Sequence, residues 1–204
     1  MSGQQKPSNQ ELRTRKELLL AASRLLKQGR KPTMDDVAKE ALVSRATAYR
    51  YFRSVDTLLL EAPIDAAMLN PEELFANNTS ADAEARVDEA EAFVHRIMYQ
   101  NEAQMRITLA NSITQALEAD SLPSRQNRRG PLIEAALAPA RHRFRDEDYE
   151  RLCGALALIF GPESMIVARD VIRIDEKTAR QIKSWAVRAL VRAALQSSEA
   201  NAGS

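Results

Sequence analysis

Apolar residues recur at helical spacing along most of the chain. Leu18, Leu19, Ala22, Leu25 and Leu26 form one stripe, which predicts a helix from about Glu11 to Lys27, stopped by Gly29 and by Lys31–Pro32. Thr33 is positioned to cap a second, short helix, with Asp36 three residues on to complete a capping box and with Val37, Ala38 and Ala41 on its buried side. Leu42 and Val43 make a brief connection. Ser44 then reads as the N-cap of a third helix, Arg45 to Phe52, and Ser54 as the cap of a fourth that carries Leu58, Leu59 and Leu60 and is kinked or broken at Pro63.

The stretch 70–82 collects turn formers and reads as a linker. Beyond it, Val87, Ala90, Val94, Ile97 and Met98 share one helical face, and Met105, Leu109, Ile113 and Ala116 share another. Leu132, Ile133, Ala136 and Leu137 predict a short helix ending near Pro139. A long apolar helix opens at Tyr149 and is expected to kink at Gly161–Pro162, because Pro162 removes a helix hydrogen bond. Asp175 is placed to cap a last helix with Ile182, Trp185, Ala186, Ala189, Leu190 and Ala193 on one side. Ala, Leu, Arg and Glu dominate and β-branched runs are scarce, so the fold class expected is all-α. The expected organisation is a disordered tail over 1–10, a helix-turn-helix domain over 11–54, a helical body over 55–196 and a disordered tail over 197–204.

Charge changes this picture more than composition does. The chain carries a net charge of only +1, yet residues 1–60 carry +6 and the remainder −5. A basic end on an acidic body points to a polyanionic partner for that end alone. Met1–Lys16 lacks an apolar segment and no run approaches a membrane span, so the cytoplasm is the expected compartment, with no membrane partner. Cys153 has no intrachain partner and apolar neighbours, so an inert thiol is expected. There is no metal-ligand spacing, no Gly-rich phosphate loop and no nucleophile beside a base, and His95 and His142 fall on different helices. No catalytic or metal-binding residue, no cofactor and no enzymatic activity are therefore expected.

The two short helices joined by a tight connection, after a longer first helix, form a helix-turn-helix unit. Its third helix concentrates hydroxyls and cations: Ser44, Arg45, Thr47, Tyr49, Arg50 and Tyr51. These are the groups that phosphate oxygens and base edges accept from. Arg45 stands in the first turn, the part of a recognition helix that reaches base edges, and Ala46 is small enough to let the helix sink into the groove or touch a thymine methyl. A non-specific, architectural DNA-binding protein without a small-molecule ligand is the alternative reading; it would bind all sequences with similar affinity at fixed salt.

The run from Thr33 through Val37-Ala38, Ala41, Val43-Ser44-Arg45 and Thr47-Ala-Tyr49-Arg-Tyr51-Phe52 resembles the DNA-binding signature of the tetracycline-repressor (TetR-type) family, over roughly residues 13–62. The resemblance implies that Thr33 contacts a phosphate, that Arg45 and Ala46 face bases, that Thr47, Tyr49 and Tyr51 contact phosphates or bases, and that Phe52 is core. Two positions depart from the family pattern: Leu42 stands where the turn usually has Gly, and Val55 where Lys often follows Ser54. Leu42 therefore predicts a different turn geometry or some strain.

The resemblance further implies a homodimeric, ligand-responsive repressor whose C-terminal helical domain binds an effector and dimerises, with an operator duplex, a second copy and a small molecule as partners. Phe93, Ile97, Met98, Tyr99, Met105, Leu109, Phe144, Leu156 and Phe160 are the candidate pocket lining, and His95, Tyr99 and Thr108 the candidates for holding a polar ligand group. Ile182, Trp185, Ala186, Ala189, Leu190 and Ala193 are the candidate dimer face.

Overall fold

The computed structural model describes residues 8–28, 31–68, 70–116 and 127–202. The described residues form eleven α-helices and no strand: α1 (Asn9–Lys27), α2 (Met34–Glu40), α3 (Arg45–Tyr51), α4 (Val55–Ala67), α5 (Pro71–Phe75), α6 (Ala83–Gln100), α7 (Glu102–Ala116), α8 (Arg129–Leu137), α9 (Asp146–Ile159), α10 (Pro162–Ile166) and α11 (Glu176–Ala202). A 3-10 turn, Ala138–Arg143, follows α8, and a π-helical turn, Val167–Val171, follows α10. The all-α expectation and its helix-turn-helix are present.

The chain divides into two compact units, Met1–Met68 with Ala103–Gln126 and Leu69–Glu102 with Asn127–Ser204. The first boundary falls after α4 rather than at Ser54. The reason is packing: Leu58 and Ala62 of α4 are wholly buried in the same core as Leu18, Leu19 and Ala22 of α1. Each such leucine contributes roughly 1.5–3 kcal/mol on burial, so α1 is incomplete without α4.

Helices reach into both of the expected tails. Ser8 caps α1: its hydroxyl accepts from the Glu11 N–H at 3.3 Å while the Glu11 carboxylate accepts from the Ser8 N–H at 2.8 Å. That reciprocal box starts the helix at Asn9. At the other end α11 runs to Ala202, held by Ser197 and Ser198, whose hydroxyls donate to the buried Asp148 carboxylate at 3.0 and 2.9 Å. Residues 1–7 and 203–204 of the expected tails, and the expected stop at Gly29, lie outside the described residues. The expected linker 70–82 also contains a helix. Asn70 and Glu73 form a third capping box, Pro71 occupies the first helical position, and Phe75 is buried beneath the Arg86 guanidinium, 4.1 Å from the ring centroid.

In the second unit α11 lies on α6 and α9, and α8 lies between α6 and α9. Val87, Ala90, Leu132, Ile133, Leu137, Leu156, Phe160, Met165, Val187 and Val191 are at most 2% exposed and form its core. Arg86 is buried with them and donates to the Ala135 and Ala136 carbonyls at 3.0 Å each, satisfying the open end of α8. The long apolar helix breaks rather than bends. α9 stops at Ile159, Gly161 takes φ +142°, and Pro162 begins α10 at an angle of 48°. That φ is one an L side chain rarely adopts, so glycine is favoured at 161; a Cβ there would also press on the movable ends of Glu163 and Arg129, at 2.7 and 2.8 Å. No single helix among the described residues is long and apolar enough to cross a membrane; the bent pair α9 with α10 and the π turn meets that length and composition only in combination, and Leu152, Leu156, Phe160 and Met165 of this segment are buried in the unit core.

Candidate nucleic-acid interface

In the first unit, a small core holds α2 and α3 on α1. Met34, Val37, Ala38, Ala48 and Phe52 are at most 3% exposed, and Val43 and Tyr51 pack half-buried against them. A buried ion pair locks the base of this assembly. Arg15 of α1 meets Glu61 of α4 at 2.8 Å, and its guanidinium lies 4.4 Å from the centroid of the Phe52 ring, which closes the C-terminus of α3. α3 is thus fixed from below by the Phe52 ring and the Ala48 methyl group, with the half-buried Tyr51 ring beside them.

Each short helix is started by its own hydroxyl. Thr33 accepts from the Asp36 N–H at 3.2 Å and donates to the Asp36 carboxylate at 2.8 Å. Ser44 accepts from the Thr47 N–H at 3.0 Å, and its hydroxyl lies 2.8 Å from the Thr47 hydroxyl. The turn between them is a Schellman motif. Val43 N–H donates to the Ala38 carbonyl at 2.9 Å and Leu42 N–H to the Lys39 carbonyl at 3.1 Å. Leu42 occupies the left-handed position, with φ +56°, and is 93% exposed. The departure at Leu42 therefore leaves the turn geometry intact and stores strain of roughly 1–2 kcal/mol where a glycine would store little.

The outer surface that results carries Thr33, Ser44, Arg45, Ala46, Tyr49 and Arg50, all exposed, with Thr47 and Tyr51 half-buried. Tyr51 has a double role the sequence did not separate: its ring belongs partly to the core, while the Arg50 guanidinium lies 5.3 Å from that ring and donates to its hydroxyl at 3.5 Å. Arg45 lies 5.5 Å from the Tyr49 ring centroid and pairs with Asp35 of α2 at 3.2 Å. Tyr49 first and Asp35 second hold the Arg45 guanidinium charged, above the ordinary arginine range. Cations, hydroxyls and a small residue thus share one convex face over seven residues of helix. Such a face can donate to phosphate oxygens and to the acceptor edge of guanine.

The second unit contains most of the other predicted site residues. Phe93, Ile97, Met98 and Tyr99 of α6, with Phe144, Leu156 and Phe160, are buried there, whereas Met105 and Leu109 of α7 belong to the first unit. A surface groove of about 740 Å³ lies among Pro71, Pro131, Glu134, Arg141 and Tyr149, and none of the predicted lining residues borders it. Sequence reasoning missed a buried charge network on α6 and α11. Glu91 is fully buried, accepts from Lys183 Nζ at 3.0 Å and meets Arg180 at 3.3 Å. Asp88 accepts from Arg180 at 2.5 Å and from Arg188 at 2.7 Å. Both signals were present as charges on apolar stripes: Glu91 beside Ala90 and Val94, and Lys183 midway between Ala179 and Val187.

His95 lies one turn beyond Glu91, its ring stacked on Tyr99 at 4.3 Å between centroids. Burial, then the nearby Lys183 and Arg180 charges, push His95 down to about 4, so its imidazole is neutral at neutral pH. Burial raises the Tyr99 phenol, whose buried hydroxyl has no hydrogen-bond partner among the described residues. Burial likewise raises the Cys153 thiol, which favours its protonated form. No metal-binding group of His, Cys, Asp and Glu occurs among the described residues.

A further surface stands out on α11. Its inner side, Ala179, Lys183, Val187, Val191 and Leu195, is buried, while Trp185 is 73% and Ile182 48% exposed on the opposite side. Ala193 is exposed as well, and Ala186, Ala189 and Leu190 are half-buried. The neighbouring α9 exposes Leu158 at 79%.

Compared with known proteins, residues 18–62 match the family model of the bacterial regulatory proteins, tetR family. No curated protein and no solved structure matches the chain significantly.

Proposed function

We propose that this chain, whose residues 18–62 match the family model of the bacterial regulatory proteins, tetR family, is a DNA-binding transcriptional regulator: a homodimeric repressor that reads an operator through α3 and is released by a small molecule bound in its second unit. The observation that carries the reading is the exposed face of α3, where Arg45, Tyr49 and Arg50 project outward while Ala48 and Phe52 anchor the helix. Arg45 reads a base edge, Ala46 permits close approach, and Thr33, Ser44, Thr47, Tyr49, Arg50 and Tyr51 hold the phosphates. The caps at Thr33 and Ser44 do not conflict with this role, since each helix start offers further backbone N–H groups that can donate to a phosphate oxygen.

A second copy is the natural cover for the Trp185 face. Trp185 and Ile182 are three residues apart on one side of α11, and Ala186, Ala189 and Ala193 allow a partner helix to approach closely. A two-fold axis at this face pairs two reading heads in one assembly, and an effector that binds better to a state unable to engage both half-sites weakens binding. The buried Tyr99 hydroxyl and the neutral His95 are the candidates for holding that effector.

Arg45→Ala tests the reading. It removes an exposed side chain, so melting temperature and oligomeric state stay as in the wild type. Affinity for a selected operator duplex falls by about 1–3 kcal/mol, and the preference at one base pair relaxes. Fluorescence anisotropy on the selected duplex and its single-base variants measures both; an unchanged affinity removes Arg45 from base reading.

A further inference from the structure

The acidic residue on the reading face demands an explanation. Among the acids of α2 and α3, Asp36 is spent on the Thr33 cap and Glu40 pairs with Arg24 at 2.7 Å. Asp35 has neither task. Its carboxylate meets Arg45 twice, Oδ1 to Nε at 3.2 Å and Oδ2 to Nη1 at 3.4 Å. The Asp35 side chain is 49% and the Arg45 side chain 64% exposed, so the pair adds little to stability. A bare carboxylate on a surface that meets a polyanion weakens every phosphate contact near it. It also engages the one arginine in the first turn of α3 and, with the Tyr49 ring 5.5 Å from the guanidinium, biases that long side chain toward one orientation.

We propose that Asp35 is a specificity-determining residue of the DNA interface: it holds Arg45 in the orientation that meets a base edge, and its charge penalises duplexes that offer Arg45 only phosphate. This rests on the DNA-reading role of α3. On a matched site the arginine keeps Asp35 on one side and gains acceptors on the other. On an unmatched site the same arginine must leave Asp35 for a phosphate, and the uncovered carboxylate then faces the backbone. Asp35 therefore lowers affinity for DNA in general and raises the ratio between matched and unmatched sites.

The test uses the full chain, a duplex selected by the wild type from a random pool, and a scrambled duplex of equal length, at fixed salt. Asp35→Asn binds the scrambled duplex roughly five- to tenfold more tightly at about 0.1 M salt, the effect of one net charge on a duplex. Its ratio of selected to scrambled affinity falls roughly five- to tenfold, within the range of one lost base contact. Asp35→Glu, which keeps the charge, restores the weak affinity for the scrambled duplex. In an Arg45→Ala background, Asp35→Asn no longer lowers the ratio, because the side chain it positions is gone; a merely structural role would lower it in both backgrounds. Equal shifts on both duplexes, or no shift on either, overturn the inference while leaving the reading role of α3 in place. A wild type that does not distinguish the two duplexes overturns that role, and this inference with it.

Discussion

Trp185→Asp converts the chain to a monomer on sizing and lowers its affinity for the operator duplex by at least about a hundredfold, the usual scale of lost bivalency. The effect follows from where the side chain is. Trp185 is 73% exposed and belongs to the side of α11 opposite the buried row Ala179, Val187 and Val191. The protomer therefore spends nothing on it, and its helical content survives the change. In a dimer the indole is the largest apolar group of the face, and tryptophans so placed are worth roughly 2–4 kcal/mol when truncated. Asp adds the cost of burying a carboxylate opposite its own symmetry mate. Ile182 and Leu158 remain but lose their central anchor. Sedimentation velocity and anisotropy read the two consequences separately. A dimer with wild-type operator affinity would move the interface off α11.

Lys183→Met lowers stability by about 3–5 kcal/mol, a large share of the roughly 5–15 kcal/mol typical of a folded chain. Methionine fills most of the space of the lysine stem, so the loss comes from charge. Glu91 is fully buried, and Lys183 Nζ at 3.0 Å is its hydrogen-bond donor. Burial already raises the Glu91 carboxyl, and Lys183 is the first of the groups that oppose the rise. Without that cation the carboxyl rises further. A carboxyl raised on folding binds its proton more readily in the folded state, so its stabilising share is present at low pH and lost as pH rises through the folded value. The deficit of Lys183→Met against wild type therefore shrinks as pH is lowered. Adding Glu91→Leu removes the acid that has lost its hydrogen-bonded cation and recovers most of the loss, since a buried pair exchanged for apolar residues is close to neutral. Denaturant titration of the two variants and the wild type decides it; a single variant as stable as the wild type would mean that Arg180 alone supports Glu91.

What the sequence made legible was local. Thr33, Ser44 and Ser54 announce their helices because an N-cap depends on a side chain and a backbone N–H three residues away. Leu42 announced its own anomaly for the same reason: the turn needs a left-handed residue whatever occupies it. Ser8 with Glu11, and Asn70 with Pro71 and Glu73, carried equally local signals. The polar composition around them outweighs these signals, so the sequence alone predicts a tail and a linker where these helices start. The charges that tie helices together were not legible, because Arg15 finds Glu61 across 46 positions and Lys183 finds Glu91 across 92. Periodicity marks these residues as facing inward but does not name their partners. The reading face of α3 was legible as residue types. Its Asp35 was not, since on a linear chain that acid reads only as a helix-dipole partner at the start of α2.

The central claim is that α3 reads sequence in a two-fold assembly. The most direct measurement is selection of duplexes from a random pool by the full chain, followed by affinity of the enriched and scrambled duplexes at one physiological salt concentration. The account predicts enriched duplexes with two inverted half-sites whose centres lie about one helical turn, or a small multiple, apart, bound at least roughly a thousandfold more tightly than the scrambled duplex. No enriched sequence, with equal affinity for every duplex, would contradict it.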